Sequence, residues 1–233
     1  MNPDVVCLQE TKSQEYQLPF DAQHLSQYFS VFADATSRKG YSGVAVYAKK
    51  APQQTTIGFG WPEFDAEGRY VQADFAGFSI GSVYVPSGTM GLERQRWKEA
   101  FLELFEGWLA RALHDGRSTI LCGDYNIAHR PIDVFNPKHA VVVTGFLPQE
   151  RAWMDRVIGS GWVDALRVVR PDEPKIYTWW SNFSHAYERN LGWRIDYQLV
   201  TPDVRTRVRS AEVYREERFS DHAPVIIDYD LDL

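Results

Sequence analysis

Cysteine is scarce, with Cys7 and Cys122 the only two in 233 residues. Each sits in an apolar run, Val5-Val6-Cys7-Leu8 and Ile120-Leu121-Cys122. The pair reads as reduced core thiols of a cytoplasmic protein and not as a disulfide framework. No run of about 18 apolar residues occurs, so no membrane-spanning helix is expected. The first residues, Met1-Asn2-Pro3-Asp4, show no basic segment followed by an apolar one, so a secretory signal is not expected. Excess positive charge is also missing. Lys plus Arg number 25 against 31 Asp plus Glu, a formal net charge of −6. A protein that grips nucleic acid by bulk charge is basic, so a polyanionic partner would have to be held by local patches or a metal. Repeats, low-complexity tracts and linkers are absent as well, and a single domain over 1–233 is expected.

What is present suits a globular chain. Apolar residues make up 44% and charged residues 24%, which excludes disorder over most of the length. Strand-like runs rich in Val, Ile and Tyr occur at 5–9, 43–48, 69–75, 79–85, 118–122, 194–200, 211–214 and 225–229. Gly68 and Gly77 bracket one of them, as tight turns between antiparallel strands would. From Leu92 to Leu113, Trp97, Phe101, Leu104, Phe105, Trp108 and Leu109 fall at steps of three and four, predicting a helix that stops at Gly116. A second helix is predicted from Pro148, with Trp153 and Val157 one turn apart. Blocks of strands with helices between them predict an α/β sandwich.

Four segments set carboxylates against apolar sequence: Leu8-Gln9-Glu10-Thr11-Lys12, Gly123-Asp124-Tyr125-Asn126, Trp193-Arg194-Ile195-Asp196-Tyr197 and Ser220-Asp221-His222-Ala223-Pro224. Any one alone reads as a turn or cap. A buried carboxylate, however, is paired or metal-bound, and Glu10, Asp124 and Asp221 are hard oxygen ligands suited to Mg²⁺ or Mn²⁺. In an extended segment Asp124 and Asn126 face the same way.

With Gly40-Tyr41-Ser42-Gly43-Val44, Val83-Tyr84-Val85-Pro86, Gly145-Phe146-x-Pro148-x-Glu150-Arg151 and Tyr177-Thr178-Trp179-Trp180, these motifs run in order from about residue 4 to about residue 230. The sequence resembles the exonuclease III family of DNA-repair nucleases, within the DNase I-like endonuclease/exonuclease/phosphatase superfamily. The resemblance implies a four-layer α/β sandwich with two mixed sheets face to face and helices outside. It implies Mg²⁺ (Mn²⁺ as an alternative) and a reaction on duplex DNA at abasic sites or 3′ ends. The three activities implied are 3′→5′ exonuclease, abasic-site endonuclease and 3′-end cleaning. The roles carried over are Glu10 as metal ligand with Asp221 close by, Asp124 preparing the attacking water, and Asn126 stabilising the transition state. His222, oriented by Asp196, contacts the phosphate, as does Tyr84. Asp124, Asn126 and His222 are counted with the metal set too. Trp179, Trp193 and Ile195 match an apolar pocket for an extruded abasic sugar, with Arg194 beside them on the DNA side. The protein is expected to act as a monomer with no membrane partner. Alternatives are a superfamily phosphatase on a phosphoinositide-like head group and a catalytically impaired DNA-binding protein. The Tyr-Thr-Trp-Trp and Gly-Trp-Arg-Ile-Asp-Tyr motifs favour the repair branch.

Two departures stand out. The family carries a further strand ahead of the Pro3-Asp4-Val5 segment, with an Asn that helps hold the metal. Its absence from these 233 residues predicts a truncated domain with an exposed sheet edge and an incomplete metal site. The family also has a polar residue, often Asn, two positions before Gly145, where this chain has Val143. That change predicts an altered balance between abasic-site cleavage and 3′-end trimming. Arg205, Arg207 and Arg209 alternate, as residues on one strand face would.

Overall fold

A computed structural model describes residues 2–233. The chain forms two compact units, one from the sequence up to Val85 with Arg117–Asp124 and Asp232–Leu233, the other from Pro86–Gly116 and Tyr125–Leu231.

The first unit contains β1 (Val5–Gln9), α1 (Phe20–Gln23), β2 (Phe29–Ala33), β3 (Val44–Ala48), β4 (Gln54–Ile57), α2 (Pro62–Asp65), β5 (Tyr70–Asp74), β6 (Ser79–Tyr84) and β7 (Thr119–Asp124). Strands β1, β3 and β2 make an antiparallel sheet with β3 central. Every residue of β3 is buried, which is why Val-Ala-Val-Tyr-Ala reads as an unbroken apolar run. In the second set, β4, β5 and β6 are antiparallel, and β7 joins β6 in parallel. The two sets face each other. Gln9 Nε2 donates to Ser82 Oγ at 2.8 Å, and Ser82 Oγ donates to the Leu8 carbonyl at 2.9 Å. The turn expected at Gly68 has a steric cause. Gly68 has φ +62°, and a Cβ there would lie 2.4 Å from the Ala33 carbonyl oxygen.

The second unit holds α3 (Leu92–Asp115), α4 (Pro137–Ala140), α5 (Pro148–Gly159), β8 (Val163–Asp164), α6 (Ala165–Val169), β9 (Trp179–Trp180), β10 (Gly192–Trp193), β11 (Asp196–Val200), β12 (Val208–Val213) and β13 (Val225–Tyr229). Helix α3 ends at Gly116, whose φ of +69° is the left-handed cap that stops a helix. Its buried stripe is Lys98, Phe101, Leu102, Phe105 and Leu109. Leu104, expected on that stripe, is exposed. Helices α3 and α5 pack through Phe105 and Trp153, whose rings are 5.9 Å apart and nearly parallel. Strands β12 and β13 pair antiparallel. The arginines expected on one strand face divide instead. Arg205 and Arg207 lie in a 3₁₀ turn, 204–207, and only Arg209 is on β12, where it pairs with Asp230. Among the described residues, no helix is long and apolar enough to cross a membrane. The two cysteines are free thiols and half-buried, not fully in the core.

Candidate active site

In the first unit, the segment after β1 turns sharply. Glu10 and Lys12 have φ of +53° and +50°, a region that non-glycine residues seldom occupy. Two backbone bonds hold them there, Thr11 N to the Gly43 carbonyl at 3.2 Å and Lys12 N to the Ser42 carbonyl at 2.8 Å. A Cβ at Gly43 would lie 2.2 Å from Thr11 Oγ1. The Gly-Tyr-Ser-Gly motif therefore exists to seat the Glu10 turn. Such outliers concentrate at functional sites.

Glu10 meets Tyr84 there. The Tyr84 hydroxyl donates to Glu10 Oε1 at 2.6 Å, while Lys12 pairs with the other carboxylate oxygen. Tyr84 ends β6 opposite Asp124, the last residue of β7. Burial, then the charges of Asp124 and Glu10, push the Tyr84 phenol far above its usual value, with Arg69 opposing in part. Tyr84 therefore meets Glu10 as a protonated donor. Arg69 is itself buried. It donates to the Tyr84 carbonyl at 2.9 Å and to Glu67 at 2.6 Å, with its guanidinium over the Tyr84 ring. Three strand ends thus bring Glu10, Tyr84 and Asp124 together.

The second unit assembles the remaining residues. His222 Nδ1 lies 3.0 Å from Asp196 Oδ2 and 3.1 Å from Oδ1. A carboxylate on one ring nitrogen orients a histidine and settles which nitrogen carries the proton. Asp221 accepts from Trp179 Nε1 at 3.1 Å, and Trp179 forms a β-bridge with His222. Trp179 also pairs with Trp193 across β9 and β10. Both rings are half-buried against Ala128, Val134, Ala140, Phe146 and Ile195. Trp179, Trp193 and Ile195 are thus brought into one apolar cluster, with the two indole rings partly open. Val141, Val142 and Val143, just before Gly145, are all exposed. Asn126 adopts φ +52° directly after Asp124-Tyr125.

Arg194 requires correction. Its side chain is fully buried. Its Nε lies 2.8 Å from Asp133 Oδ1, and its Nη1 lies 2.8 Å from Asp164 Oδ2. A guanidinium committed to two buried carboxylates is not on the surface to meet DNA. Arg167 completes the cluster at 2.5 Å from Asp133. Burial alone would raise the Asp133 carboxyl, but Arg194, Arg167 and the Arg130 backbone N–H override it and hold it well below the usual carboxylate range. The group braces the segment between β10 and β11, with Trp193 and Ile195 on either side of Arg194.

A second buried pair was not expected from the sequence. Lys98 Nζ lies 2.5 Å from Glu150 Oε1, both fully enclosed. The available signal was a lysine at helical spacing from Phe101, Leu102, Phe105 and Leu109, on an apolar stripe.

Comparison with known proteins gives the family. Residues 1–222 match the family model described as the endonuclease/exonuclease/phosphatase family. An exodeoxyribonuclease of Bacillus subtilis (strain 168) is 38% identical over 226 residues, covering 95% of this chain and 86% of the relative. Among solved structures, an AP endonuclease from Archaeoglobus fulgidus aligns with TM-score 0.88 and 30% identity, covering 98% of this chain and 90% of that one. A 3′ phosphatase, NExo, from Neisseria, bound to a product DNA hairpin, aligns with TM-score 0.89 and 27% identity over the same shares. The fold is accordingly the α/β sandwich with mixed sheets and helices that the sequence predicts. The chain belongs to the endonuclease/exonuclease/phosphatase family.

Proposed function

We propose that this chain is a Mg²⁺-dependent phosphodiesterase of DNA repair, acting as one catalytic domain on duplex DNA at abasic sites and 3′ ends. The observation that carries the reading is the convergence of Glu10, Tyr84 and Asp124 from three strands, with the phenol donating to Glu10. The relatives act as an exodeoxyribonuclease, an AP endonuclease and a 3′ phosphatase by name. All three are hydrolyses at a DNA phosphate.

Each residue has a part in such a hydrolysis. Asp124 prepares the attacking water, and Asn126 stabilises the charge that builds on the phosphate. His222, oriented by Asp196, and Tyr84, whose hydroxyl would turn from Glu10 to the substrate, bind the phosphate oxygens. The donor set fits a hard cation, because Glu10 and Asp124 are carboxylates close enough to perturb the same phenol. Glu10, with Asp124, Asn126, Asp221 and His222, would hold Mg²⁺, whose charge neutralises the phosphate and the leaving oxygen. Trp179, Trp193 and Ile195 receive an extruded sugar that lacks its base. Val143, exposed where the family has a polar neighbour of the DNA strand, alters the balance between abasic-site cleavage and 3′-end trimming. Two free thiols suit a reducing cytoplasm, and the chain is read as a monomer.

A substrate panel tests this. It comprises an abasic-site duplex, a 3′-recessed duplex, a 3′-phosphate duplex and a phosphoinositide, each given to the native chain and to Glu10→Gln. Turnover of DNA substrates that Glu10→Gln loses, with the lipid untouched, is expected. Phosphate release from the lipid with every DNA intact would overturn the reading.

A further inference from the structure

The Gly145-Phe146-x-Pro148-x-Glu150-Arg151 motif has no part in the chemistry above, yet its Glu150 is among the most enclosed charges in the chain. One of its oxygens, Oε2, accepts from Gly145 N at 2.6 Å and Leu147 N at 3.0 Å, closing the N-terminus of α5. The other, Oε1, takes the Lys98 ammonium at 2.5 Å. Capping a helix does not require a buried lysine, and lysine is rarely fully buried unless paired. Lys98 has a second partner. Its Nζ donates to the Asn126 carbonyl at 2.8 Å.

Asn126 is where such a bond matters. It sits at φ +52°, a conformation that persists only when its surroundings over-determine it. The same carbonyl also lies against Gly145. That residue has φ +91°, and a Cβ on it would lie 3.1 Å from the Asn126 oxygen and 3.2 Å from the Trp193 ring. The Gly145 carbonyl in turn accepts from Ala128 N at 2.7 Å. The Asn126 peptide is therefore held by a buried cation and a glycine-only wall. The direction of the Asn126 side chain follows from that backbone.

We propose that Lys98 is a positioning residue for Asn126. Its buried ammonium, through its own bond to the Asn126 carbonyl, fixes the left-handed backbone from which Asn126 reaches the phosphate. This rests on the role given to Asn126 under the proposed function. The competing explanation is that Lys98 only neutralises Glu150.

The two separate in a set of full-length variants assayed for kcat, KM and melting temperature on the DNA substrate with best turnover. Glu150→Gln removes the buried anion but leaves a donor on Asn126. It is expected to melt lower while kcat stays within about threefold of the native value. Lys98→Met/Glu150→Gln removes the donor without stranding a charge. It is expected to melt near Glu150→Gln, with kcat lower by about 30- to 100-fold and KM within about threefold, the signature of a misplaced catalytic group. Asn126→Ala is expected to lose at least as much. If the double variant keeps the kcat of Glu150→Gln while Asn126→Ala is impaired, the positioning role is overturned and the reading of Asn126 stands. If Asn126→Ala keeps native kcat, the reading of Asn126 fails and the proposal with it. Should the double variant not fold, a Glu150→Gln kcat as low as that of Asn126→Ala would still overturn the proposal.

Discussion

His222 Nδ1 is shared between both oxygens of Asp196, at 3.0 and 3.1 Å. The two come from segments 26 residues apart, so the fold and not the local chain creates the pair. A carboxylate whose whole effect passes through a histidine has no effect once that histidine is gone. His222→Ala and Asp196→Ala are each expected to lower kcat by about 10²-fold or more. The double variant should fall no more than about threefold below the worse single. Fully additive losses in this cycle would show that the residues act separately.

Asp124 closes β7 and is buried beside Tyr84. Asp124→Asn keeps the shape and removes the charge that prepares the water. The folded protein is expected to lose about 10²–10⁴-fold in turnover. Retention of more than about a third of native activity would remove Asp124 from that role.

The pocket rings are expected to separate two activities. Trp193 packs on Phe146 at 6.2 Å, edge to face, and on the cluster around Ile195. Trp193→Ala should weaken abasic-site incision more than exonuclease action on undamaged ends. It should also cost up to about 3–5 kcal/mol of stability, so both assays belong below the variant's melting temperature. Equal losses in the two assays would reduce Trp193 to a packing residue.

How far the sequence carried this picture depends on where each residue's partners lie. Strands β1 and β13 have the bounds the pattern predicts, because Val, Ile and Tyr set them locally. Strand β4 escaped notice since all four of its residues are exposed and no apolar face marks it. Two-residue strands such as β9 and β10 are defined only by their pairing. Arg194 was misread as a DNA contact because its partner, Asp133, lies 61 residues away, and sequence shows a charge without showing what neutralises it. The alternation of Arg205, Arg207 and Arg209 was broken by the turn at Pro202-Asp203. Glu10 and Asp124 were legible as candidate site carboxylates because each stands at the end of an apolar strand within a recognisable motif. Lys98 and Glu150 were not, since their importance lies in a contact between two helices.

The Asp133 cluster gives a pH expectation. Its carboxyl is held well below the usual range in the folded chain, the arginines having overcome the burial penalty. A depressed folded value stabilises the protein fully above the unfolded carboxyl value of about 4. That contribution is lost as pH falls from there through the folded value. Asp133→Asn should therefore melt well below the native chain at pH 7, and the gap should narrow as pH drops below about 4. A gap that is constant from pH 7 to acid would mean that Asp133 contributes shape and not charge.

Everything proposed for this site turns on metal-dependent hydrolysis of damaged or recessed DNA by this chain. The direct measurement follows an abasic-site duplex and an undamaged 3′-recessed duplex side by side. Each is incubated with Mg²⁺, with EDTA, and with excess Mg²⁺ restored after EDTA. Cleavage is expected with Mg²⁺, none in EDTA, recovery on restoration, and a rate lower by at least about 10²-fold for Asp124→Asn whenever Mg²⁺ is present. Cleavage indifferent to EDTA, or DNA that is bound but never cut when Mg²⁺ is present, would contradict it.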